Sequence, residues 1–235
     1  MNEWAFGPEL PPALYDCRLC PRLVEHREEV ARVKRRAYRD ETYWGRPVPG
    51  FGDLSARIVL LGLAPGAHGA NRTGRMFTGD ASGDFLYPAL HRAGLASSPV
   101  SREANDGLVL KDVWITSAAR CVPPQNRPRP DELRNCQRWL LHDMSLLGNA
   151  RVVLSLGAIG HNAYLDFLRG SGIRLVKKHY PFAHGAVHDL SELGGGALPL
   201  VNVYHPSFQN TNTGKLTAQM FDEVLELTKR LAGVE

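Results

Sequence analysis

Arg57-Ile58-Val59-Leu60-Leu61-Gly62 is the stretch from which the fold is read. Four consecutive apolar residues closed by glycine are too short for a helix, and no polar residue alternates with them. Such a run is a strand buried on both faces, and strands of that kind belong to parallel sheets. The pattern recurs in Val113-Trp114-Ile115-Thr116, in Val152-Val153-Leu154-Ser155-Leu156, and from Leu198 to Tyr204. Helical segments separate these strands. One runs from about Gly83 to Leu95, and a second is capped by Asp131 and reaches about Leu147. A third leads from Gly157 to about Arg169, and a fourth runs from Thr213 to Leu231. Strands alternating with helices imply a three-layer α/β/α sandwich with a central four-stranded, mainly parallel sheet. With no repeat, low-complexity tract or linker to divide it, residues 1–235 read as a single domain.

Upstream of the first strand, Pro21 to Tyr38 reads as a charged helix and Tyr43 to Asp53 as a Pro/Gly-rich loop. Pro123 to Pro130 reads as a rigid loop. Ligands of parallel sheets bind beyond the carboxyl ends of the strands. The segments to inspect therefore follow Leu61, Thr116, Leu156 and Tyr204.

Composition sets wide bounds. An apolar fraction of 43% with 22% charged residues suits a folded globular chain. No apolar run approaches the ~20 residues of a membrane helix. The opening MNEWAFGPELPP lacks a basic region followed by an apolar stretch, so the expectation is a cytoplasmic protein with no membrane partner. The net charge of +4 is mild, but residues 18–39 hold eight Lys/Arg against three acids. A cluster of that kind either follows a phosphate backbone or forms a solvated helix face.

Four cysteines in such a chain argue for metal or redox chemistry rather than a disulfide framework. Cys17 and Cys20 are separated by two residues on one turn, Cys121 follows after 100 intervening residues, and Cys136 after 14 more. Four thiolates without a histidine partner suit tetrahedral zinc or a 4Fe–4S cluster equally, and the spacing does not choose between them.

The loop after the first strand reads GLAPGAHGANRTGRMFTGD over residues 62–80. It contains no G-x-G-x-x-G, the later Gly214-Lys215 lacks the flanking residues of a P-loop, and G-x-S-x-G is absent. These gaps count against dinucleotide binding, NTP hydrolysis and a nucleophile elbow. The loop offers instead a close-approach backbone, an aromatic ring at Phe77 and a carboxylate at Asp80. Phe77 would serve equally as core, and Asp80 as a helix cap. The loop after the fourth strand, HPSFQNTNTG from His205, sets a histidine rigidly at a strand end beside small polar donors. That suits an oxygen gaining negative charge.

Together these loops resemble the uracil-DNA glycosylase superfamily: GLAPG looks like its first active-site motif and HPSFQN like its second. The four cysteines resemble the cluster ligands of the iron–sulfur members, families 4 and 5. Leu63 stands where family 4 carries the glutamate of GEAPG, Ala64 where family 1 has the aspartate of GQDPYH, and Ser117 where family 4 reads uracil with asparagine. These departures, with GANRTGRMFTGD and PPQNRP, look like family 5.

The resemblance implies a monofunctional glycosylase of base excision repair. It would act on uracil and other deaminated bases, including hypoxanthine and xanthine, flipped out of double-stranded DNA. It implies Asp80, Asn126 and His205 in catalysis, with Gly62, Ala64, Phe77, Ser117 and Asn210 around the base. Ser207 and Gln209 would contact DNA, and the basic stretch adds Arg35 as a phosphate contact. The resemblance favours a 4Fe–4S cluster over zinc, held by Cys17, Cys20, Cys121 and Cys136 and tying in the N-terminal segment, in a monomer. The competing readings are a strictly uracil-specific family 4-like enzyme, a non-catalytic metal-containing DNA-binding protein and a small-molecule hydrolase.

Overall fold

In a computed structural model, residues 12–235 are described; the opening stretch read above for a leader lies outside them. The four expected strands are present as β2 (Ile58–Gly62), β3 (Val113–Ser117), β4 (Val152–Leu156) and β6 (Leu200–Val203), every residue buried. All four run parallel, with Leu60 opposite both Ile115 and Leu154, and Leu156 opposite Val203. Two antiparallel edge strands of two residues each widen the sheet to six. β1 (Phe51–Gly52) pairs with β3, and β5 (Val187–His188) pairs with β6. The stretch from Tyr43 to Asp53, expected as loop throughout, thus contains a short strand.

Alternate residues of β2 enter opposite layers. Ile58 and Leu60 pack with Leu86 and Leu90 of α4 (Ala81–Arg92) and with Phe221 and Leu225 of α8 (Ala218–Ala232). Val59 and Leu61 pack with Leu140 of α5 (Pro130–Leu146) and with Tyr164 and Leu165 of α6 (Ala158–Gly170). Each layer thus buries one face of a sheet that has no solvent-facing side, which is why its strands read as mostly apolar runs, with the polar exceptions Thr116, Ser155 and Asn202 hydrogen-bonded in the interior.

The helix ends differ from expectation in instructive ways. α2 (Pro21–Val33) stops at Val33, because Lys34 turns to φ 57° and a separate 3-10 turn follows at Arg36–Tyr38. Asp131 does not cap α5. The cap position is Arg129, followed by Pro130, and Glu132 accepts the Arg129 backbone N–H at 2.6 Å. Two short helices, α1 (Pro12–Tyr15) and α3 (Ala70–Thr73), precede α4, and α7 (Phe208–Asn212) occupies part of the expected loop after β6.

The sheet order is β1-β3-β2-β4-β6-β5. From β2 the chain crosses to β3 on one side, and from β4 to β6 on the other. The carboxyl ends of β2 and β4 therefore flank the point where the winding reverses, the position where a ligand crevice forms in sheets of this kind.

Candidate functional site

A cavity of about 820 Å³ opens there. Its walls include Ala64, Phe77 and Asp80 from the loop after β2, Asn126 from the loop after β3, and His205, Ser207 and Gln209 from the loop after β6. Arg35, just beyond α2, also reaches it. Eight residues separated by up to 174 positions in the chain are thereby collected on one surface.

Phe77 occupies a left-handed backbone conformation, φ 53°, which strains a bulky residue. Its neighbours hold it there. Buried Arg75 donates to Asp106 at 2.6 Å and 2.8 Å, to Ser101 at 2.8 Å and to Thr78 at 3.0 Å, while the Tyr87 hydroxyl donates to the Met76 carbonyl at 2.8 Å. Gly83 completes the turn, since an added Cβ would stand 1.8 Å from the Phe77 carbonyl oxygen. The ring lies over Gly62, where a Cβ would come within 3.0 Å of its edge, and its centroid is 6.1 Å from the His205 ring.

Asp80 both caps a helix and lines the cavity. Oδ1 accepts the N–H groups of Ser82 and Gly83, each at 3.0 Å, and so caps α4, which begins at Ala81. Oδ2 faces Gly66 and Gly69, where a Cβ would stand 2.7 Å and 1.9 Å away. Burial raises the carboxyl pKa, against the two backbone donors that lower it. The group is therefore more basic than an ordinary aspartate.

His205 is desolvated, and burial pushes its pKa down to about 4, so the imidazole is neutral at pH 7. The Asn210 side-chain amide donates to the His205 carbonyl at 2.9 Å, while Ser207 caps α7 by accepting the Asn210 N–H at 3.3 Å. Asn210 therefore acts from behind the wall, and Gly62 lies under the Phe77 ring. Ser117 is not brought to the cavity. It is buried, and its hydroxyl donates to the Ala119 carbonyl at 2.8 Å, because the chain turns immediately after β3. Asn126 and its neighbour Gln125 both have positive φ, 56° and 55°, so the loop after β3 is held in an unusual turn at the rim.

Other side chains at the site carried no assigned role in the sequence. His68 lies in the wall, its Nδ1 bonded to the Tyr43 hydroxyl at 3.0 Å; burial, with Arg35 and Arg72 nearby, lowers its pKa. Arg72 stacks over Tyr38 at 4.0 Å and donates to the His68 and Gly79 carbonyls, pinning the loop. Phe208 is 66% exposed beside the cavity, an unusual placement for a large apolar ring.

The basic stretch is largely engaged internally. Arg18 pairs with Glu28, Arg22 with Glu132 and Arg32 with Glu29, and Arg27 is buried. Among the described residues, Arg35, Arg36 and Arg39 carry no ion pair, and of these Arg35 lines the cavity.

The cysteines are all free thiols, with Cys20 at the start of α2, Cys121 following the end of β3, and Cys136 on α5. Their fields overlap, Cys121 sensing Cys17 and Cys20, and Cys136 sensing Cys121 and Cys20. Burial pushes Cys121 up to about 11 and Cys136 to about 12, so a metal would have to displace their protons. The Arg27 guanidinium donates to Cys121 Sγ at 3.1 Å. No three metal-ligating side chains among the described residues gather closely enough for one ion. Four thiols with no histidine among them have the donor chemistry of an iron–sulfur or a zinc centre.

The strand-end loops thus gather an aromatic ring, a neutral imidazole and a basic carboxylate around one cavity. The chain belongs to the uracil DNA glycosylase superfamily, which matches it over residues 49–229. It is 56% identical to a type-5 uracil-DNA glycosylase of Thermus thermophilus over 93% of this chain and 94% of that one. A type-5 uracil-DNA glycosylase of Mycobacterium tuberculosis is 50% identical, covering 97% of this chain and 82% of its own. A type-4 enzyme of Thermotoga maritima is more distant, 30% identical over 77% of this chain and 81% of its own.

Proposed function

We propose that the protein is a monofunctional uracil-DNA glycosylase of base excision repair, acting on uracil and other deaminated bases flipped from double-stranded DNA. The observation that carries this reading is the approach of Phe77 to His205 in one cavity with Asp80, in a chain so similar to type-5 enzymes. The extruded base stacks on Phe77, an interaction generally worth ~1–3 kcal/mol and tolerant of base identity. As the bond from C1′ to the base nitrogen breaks, its electron pair leaves with the base. Neutral His205 donates a hydrogen bond to the base oxygen that gathers the charge. A single donor of that kind typically contributes roughly 2.7–4 kcal/mol. The sugar cation left behind is stabilised by Asp80, whose Oδ2 takes the proton of the water that adds to C1′, with Asn126 orienting that water. Leu63 and Ala64 supply no proton acceptor, so the carboxylate comes from position 80 instead.

Three finer points complete the reading. With Ser117 turned to the Ala119 carbonyl, the position where family 4 reads uracil with asparagine offers the pocket no such group, which supports acceptance of hypoxanthine and xanthine. Among the described residues no lysine lines the cavity, which supports hydrolysis without strand cleavage. Phe208, exposed at the start of α7, is the side chain best placed to fill the gap left in the duplex, with Ser207 and Gln209 along the backbone. Cys17, Cys20, Cys121 and Cys136 would hold a 4Fe–4S cluster, which when bound cross-links the segment before α2 to the loop after β3 and to α5. The protein would work as a cytoplasmic monomer; no described helix is long and apolar enough to cross a membrane.

The test is excision from duplexes carrying uracil, hypoxanthine or xanthine. Breaks that appear at all three only after alkali are the expected result. Action on uracil alone would favour the strictly specific alternative, and covalent trapping by borohydride would overturn monofunctionality.

A further inference from the structure

Arg27 is 2% exposed, yet among the described residues it has no close carboxylate of its own. Its Nη1 donates to Cys121 Sγ at 3.1 Å and to the Cys17 carbonyl at 3.2 Å, and its buried Nε has no partner among the described residues. Glu28 approaches only to 3.7 Å, is half exposed, and is already held by Arg18 at 2.6 Å. A buried guanidinium needs a buried anion. Arg120, the second buried arginine near the cysteines, has one: it pairs with Asp143, which Thr116 also holds at 2.5 Å. Arg27 has instead two of the four cysteine residues.

We propose that Arg27 is the internal counter-cation of the cluster, a positioning residue whose charge offsets that of the thiolate-ligated core. This rests on the cluster reading above. A neutral thiol is a weak acceptor, whereas a metal-bound thiolate is a charged one that suits a guanidinium donor. The ligated core is negative and becomes more so on one-electron reduction. A fixed cation hydrogen-bonded to a ligand sulfur therefore favours the reduced form and raises the potential. The backbone carbonyl at position 27 accepts the Asn71 side-chain amide at 3.2 Å and ties α2 to α3 in the pocket loop, a contact that both variants below retain.

The experiment measures iron content, iron release to a chelator and the midpoint potential, in anaerobically purified wild type, Arg27→Gln and Arg27→Lys. With all three loaded, Arg27→Gln should show a lower potential and faster release, while Arg27→Lys stays near wild type. An unchanged potential in Arg27→Gln overturns the proposal. Should Arg27→Gln hold no iron, Arg27→Lys decides. A loaded protein of wild-type potential supports the counter-charge, and loss of iron from it refutes it, because the retained charge would have failed to retain the cluster. Wild type without iron would instead remove the cluster reading itself.

Discussion

Asp80 and Gly69 occupy neighbouring space so closely that a methyl group on Gly69 would stand 1.9 Å from Asp80 Oδ2. The oxygen proposed to meet water is thus placed by the absence of a side chain opposite it. Asp80→Asn keeps Oδ1 as a cap acceptor, and asparagine caps helices about as well as aspartate. The expected outcome is a fold of near wild-type stability and single-turnover excision slower by roughly 10²–10³. Gly69→Ala should also slow excision, by pushing the carboxylate aside, and should lower the melting temperature as well. Undiminished excision by Asp80→Asn would reduce Asp80 to its capping role and move the water to Asn126.

His205 sets the pH behaviour. Its pKa of about 4 in the folded chain lies below the ordinary histidine value, so the unfolded chain binds the extra proton first as pH falls. The stabilising contribution is fully present above about 6.5 and is lost progressively from there down to about 4. His68 and His161 are lowered in the same direction by burial and add to that slope. Denaturant midpoints should therefore fall between pH 6.5 and 4, less steeply in His205→Ala. Excision should show no loss attributable to His205 protonation until pH nears 4.

The cysteines should hold metal as a set. Protein purified without air is expected to carry about four irons per chain with a broad visible absorption. Cys17→Ser or Cys136→Ser should lose both and unfold more readily. Stoichiometric zinc with no iron would contradict the assignment.

Phe208 is testable through the duplex rather than the base. Extrusion is costliest from a matched pair and least from a mismatch or single strand. Phe208→Ala should therefore slow excision from A·U duplexes more than from G·U duplexes, and leave single-stranded uracil nearly unaffected. Equal slowing on all three would assign the ring to pocket packing.

Arg35 tests the phosphate contact. Arg35→Ala should weaken duplex binding and reduce the salt slope by ~1, with saturated excision unchanged. An unaltered salt slope would place Arg35 in the pocket wall alone.

The central sheet was legible because β2, β3, β4 and β6 have no solvent-facing side, and mostly apolar runs without polar alternation say so directly. The edge strands β1 and β5 were not, because two residues carry no period. The end of α2 was hidden for a similar reason, since Lys34 takes a left-handed φ with neither glycine nor proline to announce it. α7 left a readable trace in Ser207, a good cap residue three positions before Asn210. At the site, the motif residues mostly converge, but Ser117 turns inward because its hydroxyl has a carbonyl within reach. Arg27 was the least legible. In a run of basic residues it reads as a surface charge, and only the packing of α2 reveals that it points at a thiol.

The contact between Gly83 and the Phe77 carbonyl has a consequence for how this pocket can evolve or be redesigned. The aromatic ring and the helix beneath it form one mutational unit, because any side chain at 83 would lift the backbone that sets the ring's angle. Selectivity for a different base is therefore most accessible through the identity of the ring, or through the far wall at 126 and 205. Libraries that vary position 83 should return almost exclusively glycine, whatever base they are selected to remove.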